Sequence, residues 1–238
     1  VASKWGYTYT ANWNVHAEKH EVKEHSLSVL TRQIAESRDL LDPYLKVYQI
    51  HSATLDSGVL ENREVLDELA RLRDCGLVIG LSLSGPGQSD TLRKAMTIQR
   101  GGSGLFQVVQ ATWNLLEQSA LDALAEAKDH GIGIVVKEAL ANGRLTSRNT
   151  DPNFQTGLEL LRDIAESQQS TVDAVALAAV LAQPWVDVVL SGASTVEHLQ
   201  SNLAALDIAW DDNIAESLSS LRETPEQYWS TRSQLAWN

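Results

Sequence analysis

The sequence has almost no cysteine and no long apolar segment. Cys75 is the only cysteine among 238 residues, so the chain forms no internal disulfide, and a reducing, cytoplasmic location is the default expectation. No apolar run approaches the ~20 residues that a membrane-spanning helix needs. No secretory signal is visible either. These absences exclude a membrane-spanning helix within these residues and a fold held together by disulfides.

Positive charge is also scarce. Lysine and arginine total 19 residues against 31 aspartates and glutamates, which gives a net charge of −12. No basic cluster interrupts this acidity, so nucleic acid and anionic membranes are not expected as partners. An anionic cofactor is still allowed, because backbone amides and helix N-termini can bind phosphate locally.

The sequence also lacks G-x-G-x-x-G after an early strand, which weakens a dinucleotide-binding doubly wound fold. What it does contain is an alternation of near-continuous apolar runs with amphipathic segments. The apolar runs predict six buried parallel strands, over 1–7, 45–52, 77–84, 106–113, 133–140 and 186–191. The amphipathic segments predict helices over 26–41, 62–75, 119–130, 158–166, 172–181, 196–206 and 214–221.

Six strand-then-helix units in one order predict an α/β fold in a single domain, 1–238, with parallel strands and right-handed crossovers. Polar side chains follow most of the strands, namely Lys4, His51, Ser82, Ser84, Gln110, Asn114, Glu138, Ser191 and Ser194. In a (β/α)8 barrel of the TIM-barrel type such strand ends meet on one face, where active sites form. We therefore favour the barrel over the doubly wound sheet.

Six segments, in order, resemble the aldo-keto reductase family. "SKWGY" resembles the strand that ends T-K, and "YQIHSA" resembles the strand that ends in the catalytic histidine. "GLVIGLSLSG", "VVQATWNLLEQ", "GIGIVVKEALANGRLT" and "VVLSGASTVEHLQSNLAAL" resemble the later conserved strands and the cofactor segment. The ordered set covers nearly the whole chain. It implies a (β/α)8 barrel that binds NADP(H) without a Rossmann fold and transfers hydride between nicotinamide and a carbonyl carbon.

The resemblance implies that Lys4 and His51 are catalytic. In the family a tyrosine, helped by lysine, histidine and aspartate, gives the proton to the carbonyl oxygen. A phenol is a poor acid near pH 7, so a nearby ammonium is needed to lower its pKa. A histidine at the same rim can orient the carbonyl. Taken without the resemblance, a core histidine is the favoured interpretation of His51, and Lys4 can be read as a strand-end lysine with its charge in water.

The family's tyrosine and aspartate lie in a segment like D-T-A-x-x-Y-G before the T-K strand, and this sequence contains no such segment. We therefore expect six of the eight βα units, with the first two missing, and a fragment that is inactive alone. Tyr7 and Tyr9 follow Lys4 but do not match the family's position, so neither is expected to replace the missing acid.

The resemblance assigns the cofactor to Ser82, Gln110, Lys137, Glu138, Leu140, Leu145, Gly192, Ala193, Ser194, His198 and Asn202. Ser82 and Gln110 match positions that hold the nicotinamide carboxamide. Lys137 stands where many members have an aromatic that stacks on the nicotinamide, and with Glu138 it can also be read as a plain surface pair. Ser194 and His198 stand where many members grip the 2′-phosphate with arginine. NADP(H) is thus the family default, with NAD(H) as the alternative.

The expected substrate is a small carbonyl compound or sugar, and the sequence does not predict the oligomeric state. Trp5, Trp13 and Trp113 are candidates for an apolar substrate pocket, with core packing as the alternative. Trp210, Trp229 and Trp237 are expected to pack a C-terminal extension. The histidines between 16 and 25 predict a solvated loop rather than a metal site, so no metal is expected.

Two other classes of function stay open at this point. Strand-end lysines also form Schiff bases in barrel lyases, and Lys4 or Lys137 could serve in that way. The third candidate is a non-catalytic member that binds the cofactor as a regulatory subunit, as potassium-channel β subunits do.

Overall fold

The computed structural model describes residues 1–12, 14 and 16–235. Its strands are β1 (Ala2–Trp5), β2 (Tyr7–Tyr9), β3 (Glu21–Lys23), β4 (Val47–Ala53), β5 (Val78–Leu83), β6 (Gln99–Arg100), β7 (Ser103–Gly104), β8 (Val108–Thr112), β9 (Gly133–Lys137) and β10 (Val188–Val189). Its helices are α1 (Leu27–Leu41), α2 (Arg63–Asp74), α3 (Gln88–Met96), α4 (Leu121–Asp129), α5 (Gln155–Ser167), α6 (Val172–Leu181), α7 (Val196–Leu203), α8 (Asp212–Ser217) and α9 (Pro225–Ser233).

The main sheet is parallel and six-stranded, in the order β1-β4-β5-β8-β9-β10, which is also their order along the chain. Each predicted apolar run contributes one of these strands. Two short antiparallel hairpins, β2–β3 and β6–β7, lie outside this sheet. The chain divides into two compact units: unit 1 comprises Val1–Gln110 and Ala123–Gly133, and unit 2 comprises Ala111–Asp122 and Ile134–Gln234.

Capping residues explain where the first helices begin. α1 starts after Ser26, whose side chain accepts a hydrogen bond from the backbone N–H of Val29. α2 starts after Asn62, which caps Val65 in the same way. Each such cap contributes about 1 kcal/mol. α2 ends at Asp74, and Gly76, two residues later, has a positive φ of 96°, which favours glycine.

The predicted strand over 1–7 is divided by Gly6. Its φ is +111°, so the chain turns out of the main sheet after Trp5 and enters the β2–β3 hairpin. The Gln33 side chain on α1 stabilises this turn, because it accepts from the N–H of Gly6 (2.8 Å) and donates to the carbonyl of Tyr7 (2.7 Å). The hairpin was not predicted, and neither were α3 and α9.

Each unit has its own apolar interior. In unit 1, Leu30, Ile50, Leu69, Ile79 and Leu81 are fully buried. In unit 2, the buried cluster is formed by Leu115, Leu116, Ala141, Leu145, Leu158, Leu161, Ala165, Val172, Val175, Ala176, Ala179, Leu218, Leu221, Tyr228 and Trp229, with Trp210 packed against it. The prediction for Trp210 and Trp229 is thus confirmed, while Trp237 lies outside the described residues. None of the described helices is long and apolar enough to cross a membrane.

Candidate functional site

Lys4 lies near the carboxyl end of β1. In the parallel pairing of β1 with β4, Lys4 is opposite Gln49 and Trp5 is opposite Ile50. Lys4 is solvent-exposed, yet enough protein surrounds it for burial to lower the pKa of its ammonium group. Lys4 is therefore easier to deprotonate than an ordinary surface lysine.

His51 lies at a bulge in β4. The pairing of β4 with β5 is regular up to Ile50 and shifts before Ala53. Ser52, inside the bulge, has a φ of +52°, which is uncommon for a residue other than glycine. The half-buried imidazole of His51 packs against the Tyr7 ring, with the two ring centroids 4.5 Å apart. The histidine at this strand end therefore stands directly before a residue with an uncommon backbone conformation.

Ser82 and Gln110 are cross-strand partners on β5 and β8, and both side chains are buried. The hydroxyl of Ser82 accepts a hydrogen bond from the N–H of Ser52 at 2.8 Å. A hydroxyl that accepts in this way still carries a proton that it can donate. Leu83, the residue after Ser82, is fully buried.

Two side chains from the β2–β3 region contact the bulge of β4. The Nε2 atom of His25 lies 2.9 Å from the carbonyl oxygen of His51, and the Lys23 ammonium donates to the carbonyl of Ser52 at 2.7 Å. Burial lowers the pKa of both His25 and Lys23. Trp5 packs edge-on against His25, with a centroid distance of 5.5 Å.

The two tryptophans predicted to line a substrate pocket are buried. Trp5 is 1% exposed, and Trp113 is 3% exposed and packs edge-on against Trp185. This burial fits the core-packing alternative for both residues, and contact with substrate stays a prediction. Trp13 lies outside the described residues.

In unit 2, Lys137 and Glu138 belong to a charged cluster rather than to a surface pair. Their side chains are only 16% and 11% exposed. The Lys137 ammonium donates to Thr112 Oγ1 at 2.7 Å, lies 3.4 Å from Glu138 Oε1, and sits 5.6 Å from the centroid of the Trp229 ring. Arg232 donates to Glu138 Oε1 at 2.8 Å. The surface-pair interpretation is therefore wrong.

Glu138 is the centre of this cluster. Burial alone would raise the pKa of its carboxyl group, but Lys137 and Arg232 outweigh burial and lower it. Tyr228 donates to Glu138 Oε2 at 3.3 Å, and burial followed by the nearby Glu138 charge raises the pKa of its phenol. The Asn114 amide donates to the Glu138 carbonyl oxygen at 2.9 Å. Glu138 itself has a φ of +57°. The carboxyl end of β9 therefore also has a residue with positive φ, and that residue is held by hydrogen bonds and ion pairs.

The loop after β9 has an unusual backbone. Ala141, Asn142 and Gly143 have φ values of +47°, +53° and +93°. The N–H groups of Ala141 and Gly143 donate to carbonyls within the same loop. Among the cofactor candidates here, Leu145 is fully buried and Leu140 is half-buried. The loop is therefore shaped by its own hydrogen bonds.

Two cavities in unit 2 contain most of the predicted cofactor residues. One, of about 430 Å³, is lined in part by Lys137, Glu138, Leu140, Arg148 and Gly192. The other, of about 210 Å³, is lined in part by Leu140, Arg148, Gly192, Ala193, His198 and Asn202. Leu145 and Ser194 are not among the residues that line them. Arg148 lines both cavities and was missed, because it lies in an irregular segment where no local pattern indicated a role.

The second cavity includes the start of α7. Thr195 caps this helix by accepting from the N–H of His198 at 3.1 Å. Ser194 Oγ lies 3.2 Å from His198 Nδ1, and the Asn202 amide donates to the Ser191 carbonyl at 3.0 Å. These contacts fix the turn that enters the helix. Within the part of the chain that the structure describes, no group of three or more histidine, cysteine, aspartate or glutamate side chains could hold a metal ion.

Parallel strands with polar, strained carboxyl ends and a cavity at the start of the last βα helix characterise an α/β protein with ligand sites at its strand ends. The family described as "Aldo/keto reductase family" matches residues 1–223, and the chain belongs to that family.

Several known proteins are similar to this chain. The "Uncharacterized oxidoreductase YrpG" of Bacillus subtilis (strain 168) is 30% identical over 139 residues, which are 50% of this chain and 43% of that protein. The "NADH-specific methylglyoxal reductase" of Escherichia coli (strain K12) is 23% identical over 204 residues, 77% of this chain and 61% of that protein. The chain spans about half the length of the first curated relatives that it matches.

A solved structure confirms the fold class. The holo form of the aldo-keto reductase AKR11C1 from Bacillus halodurans superposes with a TM-score of 0.73 at 19% sequence identity. The match covers 96% of this chain and 75% of that chain. The α/β fold of the family's (β/α)8-barrel type, predicted from the sequence, is therefore confirmed.

Proposed function

We propose that the protein is an NAD(P)H-dependent oxidoreductase that reduces an aldehyde or ketone, or oxidises a sugar or alcohol in reverse. One observation carries this proposal: within the family match, Lys4 and His51 lie toward the carboxyl ends of the paired strands β1 and β4. We further propose that the tyrosine and aspartate of the family's catalytic set belong to a part of the protein outside residues 1–238.

The position of Lys4 near the carboxyl end of β1 supports its catalytic role. An ammonium beside a phenol stabilises the phenolate and so makes the phenol a stronger acid. His51 would orient the carbonyl oxygen and assist proton transfer to it. These roles require both side chains to face the reacting carbonyl.

The cavities of unit 2 support a dinucleotide cofactor, which would supply the hydride when bound. The two cavities share Leu140, Arg148 and Gly192, so their linings are continuous. Arg148 offers a guanidinium for a phosphate group, which neither Ser194 nor His198 can match. The Lys137 ammonium is bonded to Thr112 and Glu138, so it cannot replace a stacking aromatic. We therefore propose NADP(H), with Arg148 as its phosphate ligand.

Titration of this chain with NADPH and NADH, followed by tryptophan fluorescence, tests the cofactor. We expect saturable binding of NADPH, and we expect Arg148→Met to weaken it about tenfold while weakening NADH binding less. Arg162→Met, another exposed arginine of unit 2, is the control and should leave both affinities unchanged. Absence of saturable binding of either nucleotide would overturn the cofactor assignment.

Turnover is tested in the longest form of the protein, with short aldehydes and sugars as substrates. We expect cofactor-linked absorbance changes that fall about 100-fold or more in Lys4→Met and in His51→Gln. Borohydride trapping of a carbonyl substrate on Lys4, without any nucleotide requirement, would instead support the Schiff-base alternative. Nucleotide binding without turnover on any carbonyl tested would favour the regulatory alternative.

A further inference from the structure

The bulge that carries His51 has hydrogen-bond partners on successive backbone groups. The carbonyl of His51 contacts His25 Nε2 at 2.9 Å, and the carbonyl of Ser52 accepts from Lys23 at 2.7 Å. The N–H of Ser52 donates to Ser82 Oγ at 2.8 Å. All of these partners are side chains, whereas the N–H and carbonyl groups of a regular strand bond to neighbouring backbone. The conformation at His51 is therefore held by specific residues rather than by the sheet.

This conformation needs such support. Ser52 is in the left-handed region, with a φ of +52°. A non-glycine residue in this region costs of order 1 kcal/mol or more and persists only where its surroundings hold it. A bulge also changes the direction of the side chains beside it, and bulges are frequent next to active sites. Release of the bulge would therefore be expected to turn the His51 imidazole away from its present direction.

We propose that His25 and Lys23 are positioning residues that hold the His51 imidazole in its reactive direction by binding the carbonyl oxygens of residues 51 and 52. The proposal rests on the catalytic role of His51 proposed above. It adds a task for the β2–β3 hairpin, which the parallel sheet itself does not require. Lys23 is the last residue of β3, and His25 follows two residues later.

The surroundings of His25 determine which nitrogen of its ring carries the proton. To bond a carbonyl oxygen, Nε2 must be the protonated nitrogen of the ring. Burial lowers the pKa of His25, the hydrogen bond to the His51 carbonyl opposes this, and the positive charge of Lys23 lowers the pKa as well, so that the net shift favours the neutral ring. The Trp5 ring packs edge-on against one side of His25, and Gly6 leaves room for the imidazole where a Cβ atom would come within 2.6 Å of Nε2. The donor is thus fixed in both tautomer and place.

Substitutions at residues 25 and 23 test the proposal. His25→Gln keeps an N–H donor of similar reach, whereas His25→Phe keeps a flat ring and loses the donor. Lys23→Met keeps the length of the side chain and loses its charge and hydrogen bond. Glu21→Gln, on the same strand β3, serves as the matched control because its side chain takes no part in these contacts at residues 51 and 52.

The readouts are hydrogen exchange at the Ser52 amide and the ring signals of His51 in NMR spectra of the 238-residue chain. We expect His25→Phe and Lys23→Met to speed this exchange about fivefold to tenfold, as the loss of one hydrogen bond predicts, and to shift the His51 ring signals. His25→Gln should restore the wild-type values, and Glu21→Gln should not change them. In the longest active form, kcat should fall in His25→Phe with little change in KM for the nucleotide.

Unchanged His51 signals and unchanged Ser52 exchange in both His25→Phe and Lys23→Met would overturn the proposal. So would equal effects of His25→Gln and His25→Phe, because a packing role alone does not need the donor. Neither NMR readout depends on cofactor or turnover. A failure of the proposed enzymatic function is therefore seen separately, in the nucleotide titration.

Discussion

The carboxyl ends of β4 in unit 1 and β9 in unit 2 are both supported by side chains, but in two different ways. Each presents a polar residue, His51 or Lys137, followed by a non-glycine residue with positive φ, Ser52 at +52° or Glu138 at +57°. At β4 the supporting side chains bind backbone atoms. At β9 Thr112 and Arg232 bind the side chains of Lys137 and Glu138, and the Asn114 amide also binds the carbonyl oxygen of Glu138.

The two strand ends differ in how far the side chains of their polar residues are already used in charged contacts. The partners of His51 and Ser52 fix the backbone, and the orientation of the His51 ring follows from that backbone. Lys137 and Arg232 instead both pair with the Glu138 carboxylate, and the two cations lie 5.6 and 5.7 Å from the centroid of the Trp229 ring. The β4 end is therefore the better candidate for chemistry, and the β9 end is the better candidate for stabilising its unit.

The largest effect is expected from Glu138→Gln. It leaves Lys137 and Arg232 without their carboxylate, and loss of one partner from a buried ion pair typically costs about 3–5 kcal/mol. Because Arg232 stays 39% exposed and can be solvated, we expect about 3 kcal/mol of lost unfolding free energy. Urea unfolding measures it. Glu126→Gln, which breaks the exposed pair with Arg93, is the control and should cost less than about 1 kcal/mol.

Acid should remove the same contribution. The pKa of Glu138 is lowered in the folded protein, so its stabilisation is complete above the ordinary glutamate pKa of about 4.3 and is lost as pH falls through the lowered value. The wild-type protein should therefore lose more unfolding free energy than Glu138→Gln as pH is lowered below about 4.3. Parallel pH profiles of the two proteins would contradict the assigned role of this carboxylate.

A smaller effect is expected from Gly6→Ala, next to the His51 bulge. An alanine at position 6 would have to adopt a φ of +111°, and its methyl group would meet the His25 ring. We therefore expect about 2 kcal/mol of destabilisation in thermal unfolding. Gly58→Ala is the matched control, because φ is +65° there and nothing lies within 4 Å of the new Cβ. Equal costs at the two positions would show that His25 does not occupy this space.

The smallest effect is expected from Ser82→Ala, which removes the acceptor for the N–H of Ser52. One neutral hydrogen bond contributes about 1 kcal/mol, and we expect a loss of this size in urea unfolding. Ser57→Ala is the comparison in the same unit: it removes the hydroxyl that donates to the Thr54 carbonyl at 2.7 Å in a short turn, so a loss of similar size is expected there, while the Thr54 side chain still caps the N–H of residue 57. A smaller loss in Ser82→Ala than in Ser57→Ala would mean that the bulge does not need its serine.

The sequence predicted those helices and strands in which apolar residues recur at a regular spacing. α2 was expected over 62–75 and is found at Arg63–Asp74, because its buried residues recur every three or four positions. The β2–β3 hairpin was missed because β3 lies at the end of a polar, histidine-rich stretch without a marked turn signal. α9 was missed although Thr224, Pro225 and Gln227 form a capping box with proline at the first turn, which is a readable start signal.

The sequence predicted which polar residues lie at strand ends, and it missed the contacts between residues that are far apart in the chain. Lys4 and His51 follow apolar runs, so their place at strand ends could be predicted from position alone. Arg232 contacts Glu138 from 94 residues away, and Tyr228 from 90. No local pattern encodes contacts between residues so far apart in the chain. For the same reason the alternative of a surface pair had the contact between Lys137 and Glu138 right and their burial wrong.

The contact between Gly6 and His25 constrains two positions at once. In any homologue that keeps this hairpin, a larger residue at position 6 can be accepted only if the residue at position 25 becomes smaller. Loss of the ring at position 25 would in turn remove the steric part of the selection that keeps glycine at position 6, while the part that comes from the φ of +111° would remain. The two positions should therefore vary together over evolutionary time, and a lineage that has changed one of them should also have given up the backbone contact at residue 51.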